Sequence, residues 1–120
     1  MPSSSLRLSL SLATATLLCL AQSPDPGVTP TRLIDRDEIR VSRVALEPGA
    51  VRSVHTHEDV QYHVWVALEG QLEITIGDAR PVAASNGKSF FMQKGTRHGF
   101  RNTGSTPGAA MEIFVKEKQR

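Results

Sequence analysis

GAVRSVHTHEDVQYHVWVALEG, residues 49–70, contains three of the four histidines of this 120-residue chain. His55 and His57 are two residues apart, so on a β-strand their imidazoles leave the same face, with Cα atoms roughly 6.5–7 Å apart. His63 opens a run rich in β-branched and aromatic residues, which is typical of a second strand. If this run pairs back in the antiparallel direction, His63 faces the first two histidines.

Three imidazoles on one face indicate a binding site for a divalent metal. Neutral imidazole is the commonest metal ligand in proteins, and this arrangement needs no carboxylate. The alternative is that each histidine is an ordinary core or surface residue, as a lone histidine usually is. We favour the metal site because three histidines fall within one short span.

A second stretch, GKSFFMQKGTRHGFRN at residues 87–102, carries the only remaining histidine. Its pattern predicts a strand, a turn at Gly95 and a returning strand. His98 follows the turn and is the candidate fourth ligand. The predicted metal ligands are therefore His55, His57, His63 and His98.

These two stretches resemble the two sequence motifs of the cupin family. The first motif has a glycine, a His-x-His pair, a glutamate and a second glycine; with one extra residue in the gap, it is matched by Gly49, His55, His57, position 63 and Gly70. The second motif, G-x5-P-x-G-x2-H-x3-N, is matched by Gly87, Gly95, His98 and Asn102. The resemblance covers residues 38–120.

Two positions depart from the cupin pattern. His63 stands where most cupins have a glutamate ligand, and Gln93 stands where the second motif usually has proline. A minority of small cupins have histidine at the first position and bind metal through four histidines. The resemblance therefore implies a small single-domain cupin of the four-histidine type. Its cofactor would be one divalent transition metal, namely manganese, iron, nickel, copper or zinc.

The strand pattern predicts an all-β fold. About seven to nine short apolar or alternating runs are separated by turn signals roughly every eight to twelve residues, and no stretch keeps a helical period. The cupin resemblance implies the specific form, a double-stranded β-helix or jelly-roll barrel. We assign residues 38–120 to the cupin domain and the proline-rich residues 22–37 to a linker. A short edge strand around Leu33-Ile34, near the end of this linker, is left open.

The N-terminus has the proportions of a secretory signal peptide, predicted at residues 1–21. The apolar run from Leu8 to Leu20 is shorter than the roughly 20 residues that a membrane span needs, and small residues precede Gln22 as a cleavage site requires. Export to the periplasm or the medium would remove Cys19, the only cysteine, and with it any disulfide. The alternatives are an organelle-targeting peptide and a wrongly assigned start.

The charge distribution and the positions of two aromatic residues indicate which classes of molecule this protein binds. The formal net charge is +2 with basic residues scattered among acids, which argues against a nucleic-acid partner. Trp65 and Phe100 share the strand phase of His63 and His98 and are candidates for the walls of a substrate pocket; the alternative is that they are core aromatics. We expect a small-molecule ligand or substrate and no stable membrane anchor, and we leave a homodimer open.

Two classes of function fit a small cupin with this site. The first is a metal-dependent enzyme, an oxidoreductase or isomerase, because similar cupins include dioxygenases, isomerases and polyketide cyclases that act on small organic molecules. The second is a non-catalytic metal or small-ligand binding protein of the exported space. Four neutral imidazoles would leave the ion its full +2 charge, which makes it a stronger Lewis acid than an ion with a carboxylate ligand. We favour the enzyme slightly.

Overall fold

The computed structural model describes residues 25–119. The strands in this range are β1 (Val28–Asp35), β2 (Ile39–Leu46), β3 (Val51–His55), β4 (Val60–Glu69), β5 (Leu72–Ile76), β6 (Val82–Ala84), β7 (Ser89–Gln93), β8 (His98–Asn102) and β9 (Gly108–Lys116). Within the described range, no helix has the length and apolar character of a membrane span. The predicted signal peptide, residues 1–21, lies outside the described residues and stays a prediction.

The strands form two antiparallel sheets. One sheet has the order β1-β2-β9-β4-β7 and the other has the order β3-β8-β5-β6. Strands that are distant in the chain become neighbours, since β2 pairs with β9 and β3 pairs with β8. Two sheets with such long crossovers form a jelly roll, and the predicted all-β double-stranded β-helix is confirmed.

The core lies between the two sheets, and the alternation of side chains along each strand explains its composition. On β4, His63, Trp65 and Ala67 are buried, whereas the residues between them are partly exposed. Trp65 packs edge-on against Phe90 and Phe100, with ring centroids 5.9 and 5.4 Å away. Trp65 is 0% and Phe100 is 3% exposed. Both occupy the position of core aromatics, and their assignment to a substrate pocket stays a prediction.

The structure differs from the sequence interpretation at residues 28–35. This part of the predicted linker, residues 22–37, forms β1 and pairs with β2 along its length. Seven of its eight residues are exposed, so the segment shows little of the apolar alternation by which strands are found. Backbone hydrogen bonds rather than burial hold this edge strand, which includes Leu33-Ile34.

Gly70, which closes the first histidine stretch, is required by a close backbone contact. Its φ is +77°, a left-handed conformation that costs other residues about 1–2 kcal/mol. A Cβ atom here would also lie 2.8 Å from the Cα atom of Gly108. Gly77 has a comparable φ of +59°, but a Cβ atom there would have nothing within 4 Å.

Gly70→Ala should therefore destabilise the protein by about 3 kcal/mol, because the steric overlap adds to the backbone strain. Gly77→Ala introduces the strain without the overlap and should cost only about 1 kcal/mol. Urea unfolding of the two variants measures both losses. Equal losses would show that the backbone around Gly108 moves to accept the methyl group.

Candidate metal centre

The structure brings the four histidines together between the two sheets. His55 ends β3 and lies opposite His98, the first residue of β8. His63 lies on β4 of the other sheet, and His57 lies in the connection between β3 and β4. The ring centroids of His55, His57 and His98 are 4.4–5.3 Å apart, and the ring centroid of His63 is 4.8 Å from that of His98. The imidazoles thus converge as the spacing indicated.

A β-bulge in β3 turns His55 toward the interior. Arg52 pairs with Phe100. His55, three residues further along, pairs with His98, which is only two residues before Phe100. The extra residue in β3 reverses the alternation of side chains, so His55 shares the buried face of His98. Val54, which would face inward without the bulge, is 52% exposed.

Glu112 is a candidate ligand that the sequence analysis missed. It lies on the buried face of β9 and is 4% exposed. Its Oε2 atom lies 3.2 Å from His63 Nε2 and 3.8 Å from His57 Nε2. The sequence did contain a signal for it. Glu112 lies two residues from the apolar Ala110 and Phe114, so its carboxylate is predicted on the same buried face of the strand, and a buried carboxylate needs a partner.

The candidate metal site in the structure consists of three histidines and one glutamate rather than the predicted four histidines. One ligand atom from each of four residues lies within 4.8 Å of the others, and these residues are His55, His57, His98 and Glu112. His63 is not a member of this group but lies beside it: its ring stacks on Phe114 at 4.3 Å, and its Nε2 atom lies 3.2 Å from Glu112 Oε2. Since β9 pairs with β4, Glu112 approaches the three histidines beside His63.

The hydrogen bonds of two histidines leave nitrogen lone pairs free to bind a metal. His55 Nδ1 lies 2.7 Å from the carbonyl oxygen of Ser53, and His98 Nδ1 lies 3.0 Å from that of Thr96. A carbonyl only accepts, so in the neutral rings both Nδ1 atoms carry the hydrogen and both Nε2 atoms carry a lone pair. The Nε2 atoms of His55, His57 and His98 are buried and have no hydrogen-bond partner among residues 25–119.

This donor set fits a divalent transition metal. Imidazole nitrogen and carboxylate oxygen bind such ions at about 2.0–2.2 Å, so two ligands on opposite sides of an ion lie about 4.2 Å apart. The four ligand atoms lie within 4.8 Å of one another, and small side-chain rotations close the difference. The four residues could therefore hold a metal ion, and nitrogen and oxygen donors alone do not select its identity.

Burial keeps the donors in the protonation states that bind metal. It lowers the pKa of His57 to about 4, with the other histidines acting in the same direction and Glu112 opposing. It also lowers the pKa of His98 to about 4, against the hydrogen bond to Thr96. Burial raises the pKa of Glu112, but the contact with His63 and the nearby histidines outweigh it, so this pKa lies below its usual value. At neutral pH, an ionised Glu112 would leave a bound divalent ion a net charge of +1, not the +2 expected for four histidines.

Asp25 holds the strand segment that precedes His55. Its carboxylate accepts hydrogen bonds from the Ser53 backbone N–H at 2.9 Å and from the Ser53 hydroxyl, and it pairs with Arg52 at 3.1 Å. The Ser53 carbonyl in turn accepts the hydrogen bond of His55 Nδ1. Asp25 thus acts on the candidate ligand through Ser53, as the outer partners of ligating histidines commonly do.

Residues 42–114, more than half of the chain, match the family model for the cupin domain. This chain belongs to the cupin family. The matched range contains the four histidines and Glu112.

Known proteins resemble this cupin at low sequence identity. A cupin domain from Bordetella pertussis Tohama I is 26% identical, with a TM-score of 0.63 over 79% of this chain and 99% of that chain. Oxalate oxidase in complex with the substrate analogue glycolate is 19% identical, with a TM-score of 0.69 over 81% of this chain and 54% of that chain. The second likeness shows the fold alone.

A curated protein, a mannose-1-phosphate guanylyltransferase from Sinorhizobium fredii, is 29% identical to this cupin over 83 residues. These residues are 69% of this chain but 16% of that protein. The cupin therefore spans about a sixth of the length of the relative it matches.

The metal-free cupin should lose stability as the pH falls from about 6.5 to about 4. The pKa of His57 and of His98 is about 4 in the folded chain and near 6.5 in an unfolded one, so the unfolded chain binds more protons in this interval. The loss should reach at most about 3 kcal/mol for each histidine. Urea unfolding in excess chelator, with NMR titration of the rings, tests this; a ring of either residue titrating near 6.5 would contradict it.

Asp25→Ala should weaken metal binding by about tenfold, because the variant no longer holds Ser53, whose carbonyl oxygen orients the ring of His55. Asp35→Ala is the matched control, since it removes another carboxylate paired with basic residues, Arg32 and Lys116. Competition with a chromophoric chelator measures the affinity of each variant. Unchanged affinity in Asp25→Ala would show that the β-bulge alone orients His55.

Proposed function

We propose that this cupin binds one divalent transition metal through three histidines and a glutamate and uses it as an enzyme acting on a small organic molecule. The observation that carries the proposal is the group of three buried Nε2 atoms without partners beside a buried carboxylate. A buried polar atom left unpaired costs about 1–3 kcal/mol. One bound ion would pair with all of them. The proposed ligands are His55, His57, His98 and Glu112.

The chain's own residues hold the donors in place. Backbone carbonyls two residues before His55 and His98 fix the tautomers of both rings. His63 contacts Glu112 at 3.2 Å and stacks on Phe114 at 4.3 Å, so it restricts rotation of the carboxylate. When bound, the metal supplies a Lewis-acid centre that polarises an oxygen atom of a substrate.

Among the reaction types open to this cupin, we take the one suggested by oxalate oxidase, with which it shares the fold. That enzyme shares this fold with a TM-score of 0.69 and was solved with the substrate analogue glycolate. We therefore place oxidoreductase chemistry on a small organic acid, including the dioxygenase type, ahead of isomerase and cyclase chemistry.

A non-catalytic metal-binding role is the second candidate, and the burial of the site favours it. His98 and Glu112 are 1% and 4% exposed, and the side chain of His57 is 19% exposed. Two open clefts of the described surface lie elsewhere, and neither is lined by a clustered histidine or by Glu112. An ion that substrate cannot reach would serve binding or stability.

Elemental analysis of the purified protein tests the ligand set. We expect about one metal ion per chain, and a tenfold or greater loss of bound metal in Glu112→Gln and in His98→Ala. Glu69→Gln, which changes an exposed glutamate paired with Arg43, should keep the metal of the wild type. Full metal content in Glu112→Gln together with loss in His63→Ala would contradict the proposed set and restore the four-histidine one.

Dioxygen uptake separates the two candidate functions. The metal-loaded protein is assayed with small carboxylic acids, diketones and phenols, with Glu112→Gln as the reference. Uptake by the wild type alone supports the enzyme. One bound metal per chain, a raised melting temperature and no uptake support the binding protein.

A further inference from the structure

Arg40 is a basic residue on the inner face of the five-stranded sheet. It is the direct partner of Phe114 across β2 and β9, and Phe114 is the direct partner of His63 across β9 and β4. Direct partners in antiparallel strands share a face, so these three side chains form a row that leads to the candidate metal centre. The side chain of Arg40 is 17% exposed, and a charged group buried to this extent needs partners.

The guanidinium group of Arg40 has two partners. Its central carbon lies 4.5 Å from the centroid of the Phe114 ring, which is a cation–π contact. Its Nη1 atom donates a hydrogen bond of 3.0 Å to Oδ2 of Asp59. Asp59 lies in the connection between β3 and β4, two residues after His57. One side chain therefore contacts both the aromatic wall of the site and the segment that carries a candidate ligand.

Phe114 connects this contact with two sides of the site. Its ring centroid lies 4.6 Å from that of His57 and 4.3 Å from that of His63, on which it stacks. His63 Nε2 in turn lies 3.2 Å from Oε2 of Glu112. The position of the Phe114 ring therefore affects one candidate ligand directly and another through His63.

His57 has the greatest need of such support among the candidate ligands. The rings of His55 and His98 are each held by a backbone carbonyl two residues earlier in the chain. His57 lies outside the strands, and the contact of its backbone is a hydrogen bond of 3.2 Å from the Gly95 N–H to its carbonyl oxygen. That bond holds the main chain but does not orient the ring, whose Nε2 has no hydrogen-bond partner among residues 25–119.

We propose that Arg40 is a positioning residue of the metal centre. It holds the segment of His57 through Asp59, and it packs on Phe114, the ring that contacts both His57 and His63. Arg40 does not bind the ion itself. This inference rests on the proposed metal centre and adds to it a residue of the neighbouring strand β2.

Charge and position predict opposite effects when Arg40 is replaced by a neutral residue. A positive charge near the site repels a divalent cation, so its removal alone would strengthen metal binding. Removal of a contact that orients a ligand weakens metal binding. The carboxylate of Asp59 is 60% exposed, and an ion pair exposed to this extent contributes little to global stability. Weaker metal binding with little loss of stability is therefore the signature of positioning.

Competition for Zn²⁺ with a chromophoric chelator tests the inference. We expect Arg40→Gln to weaken binding by about tenfold. Asp59→Asn should add little further loss in the Arg40→Gln background, because both changes break the same contact. Arg43→Gln is the matched control, since it makes the same substitution on the outer face of the same strand and breaks an ion pair of 2.8 Å with Glu69. It should keep the affinity of the wild type.

Electron paramagnetic resonance of the Cu²⁺-loaded protein supplies a second readout. A displaced His57 should change the copper hyperfine splitting in Arg40→Gln and leave it unchanged in Arg43→Gln. Thermal melting in excess chelator shows that each metal-free variant folds. If Arg40→Gln does not fold, Asp59→Asn carries the test, with the exposed neighbour Glu58→Gln as the control for loss of one negative charge. Zn²⁺ binding should then be weaker in Asp59→Asn than in Glu58→Gln.

The outcomes separate this inference from the proposed function. Unchanged or tighter Zn²⁺ binding in a folded Arg40→Gln would overturn the inference and leave the metal centre standing. An equal loss of affinity in Arg43→Gln, or equal affinities of Asp59→Asn and Glu58→Gln, would overturn it as well. A wild type that binds no Zn²⁺ would overturn the proposed metal centre and the role of Arg40 with it.

Discussion

The candidate site buries polar metal-binding atoms between two apolar sheets, and the rest of the site depends on how the cost of this burial is offset. Five imidazole nitrogens, the Nε2 atoms of all four histidines and Nδ1 of His63, have no hydrogen-bond partner among the described residues, and Glu112 is 4% exposed beside them. Each unpaired atom costs the folded state about 1–3 kcal/mol. An ion bound by His55, His57, His98 and Glu112 would offset this cost at three of the nitrogens, so that metal binding and folding would be linked at this site. Because His55 and His98 belong to one sheet and Glu112 to the other, the same ion would also join the two sheets across the core.

The backbone reaches this arrangement through one irregularity in an otherwise regular sheet. A strand of strict alternation would turn Val54 inward opposite His98, and an apolar side chain there would fill the site. The bulge between Arg52 and His55 removes that conflict. Asp25 then holds the bulged segment through Ser53, which explains how a short strand with exposed neighbours keeps the ring of His55 fixed.

The sequence was sufficient for features that depend on neighbouring residues and insufficient for those that depend on pairing between distant strands. Alternation and glycine turns predicted the all-β fold, and the spacing of His55 and His57 predicted the convergence of imidazoles. Most of β1 was assigned to a linker, with a short edge strand allowed only around Leu33-Ile34, because an exposed strand has no apolar period to reveal its full length. Glu112 was missed because its final strand reads as an ordinary alternating one, and only the pairing of β9 with β4 brings the carboxylate beside His63.

The position of Glu112 changes the role expected of His63 at the candidate metal site. Most cupins have the glutamate ligand where this chain has His63, and a four-histidine site would leave the ion an additional positive charge. Here the carboxylate comes from the adjacent strand β9, so three imidazoles and one carboxylate are still present. The ion would keep the net charge of +1 that the common ligand set produces, and with it a similar Lewis acidity. What differs is the partner of the carboxylate: a buried imidazole, stacked on Phe114, now lies 3.2 Å from it. A site completed by Glu112 would therefore keep the charge of the common ligand set, with the carboxylate reaching the ion from a different strand.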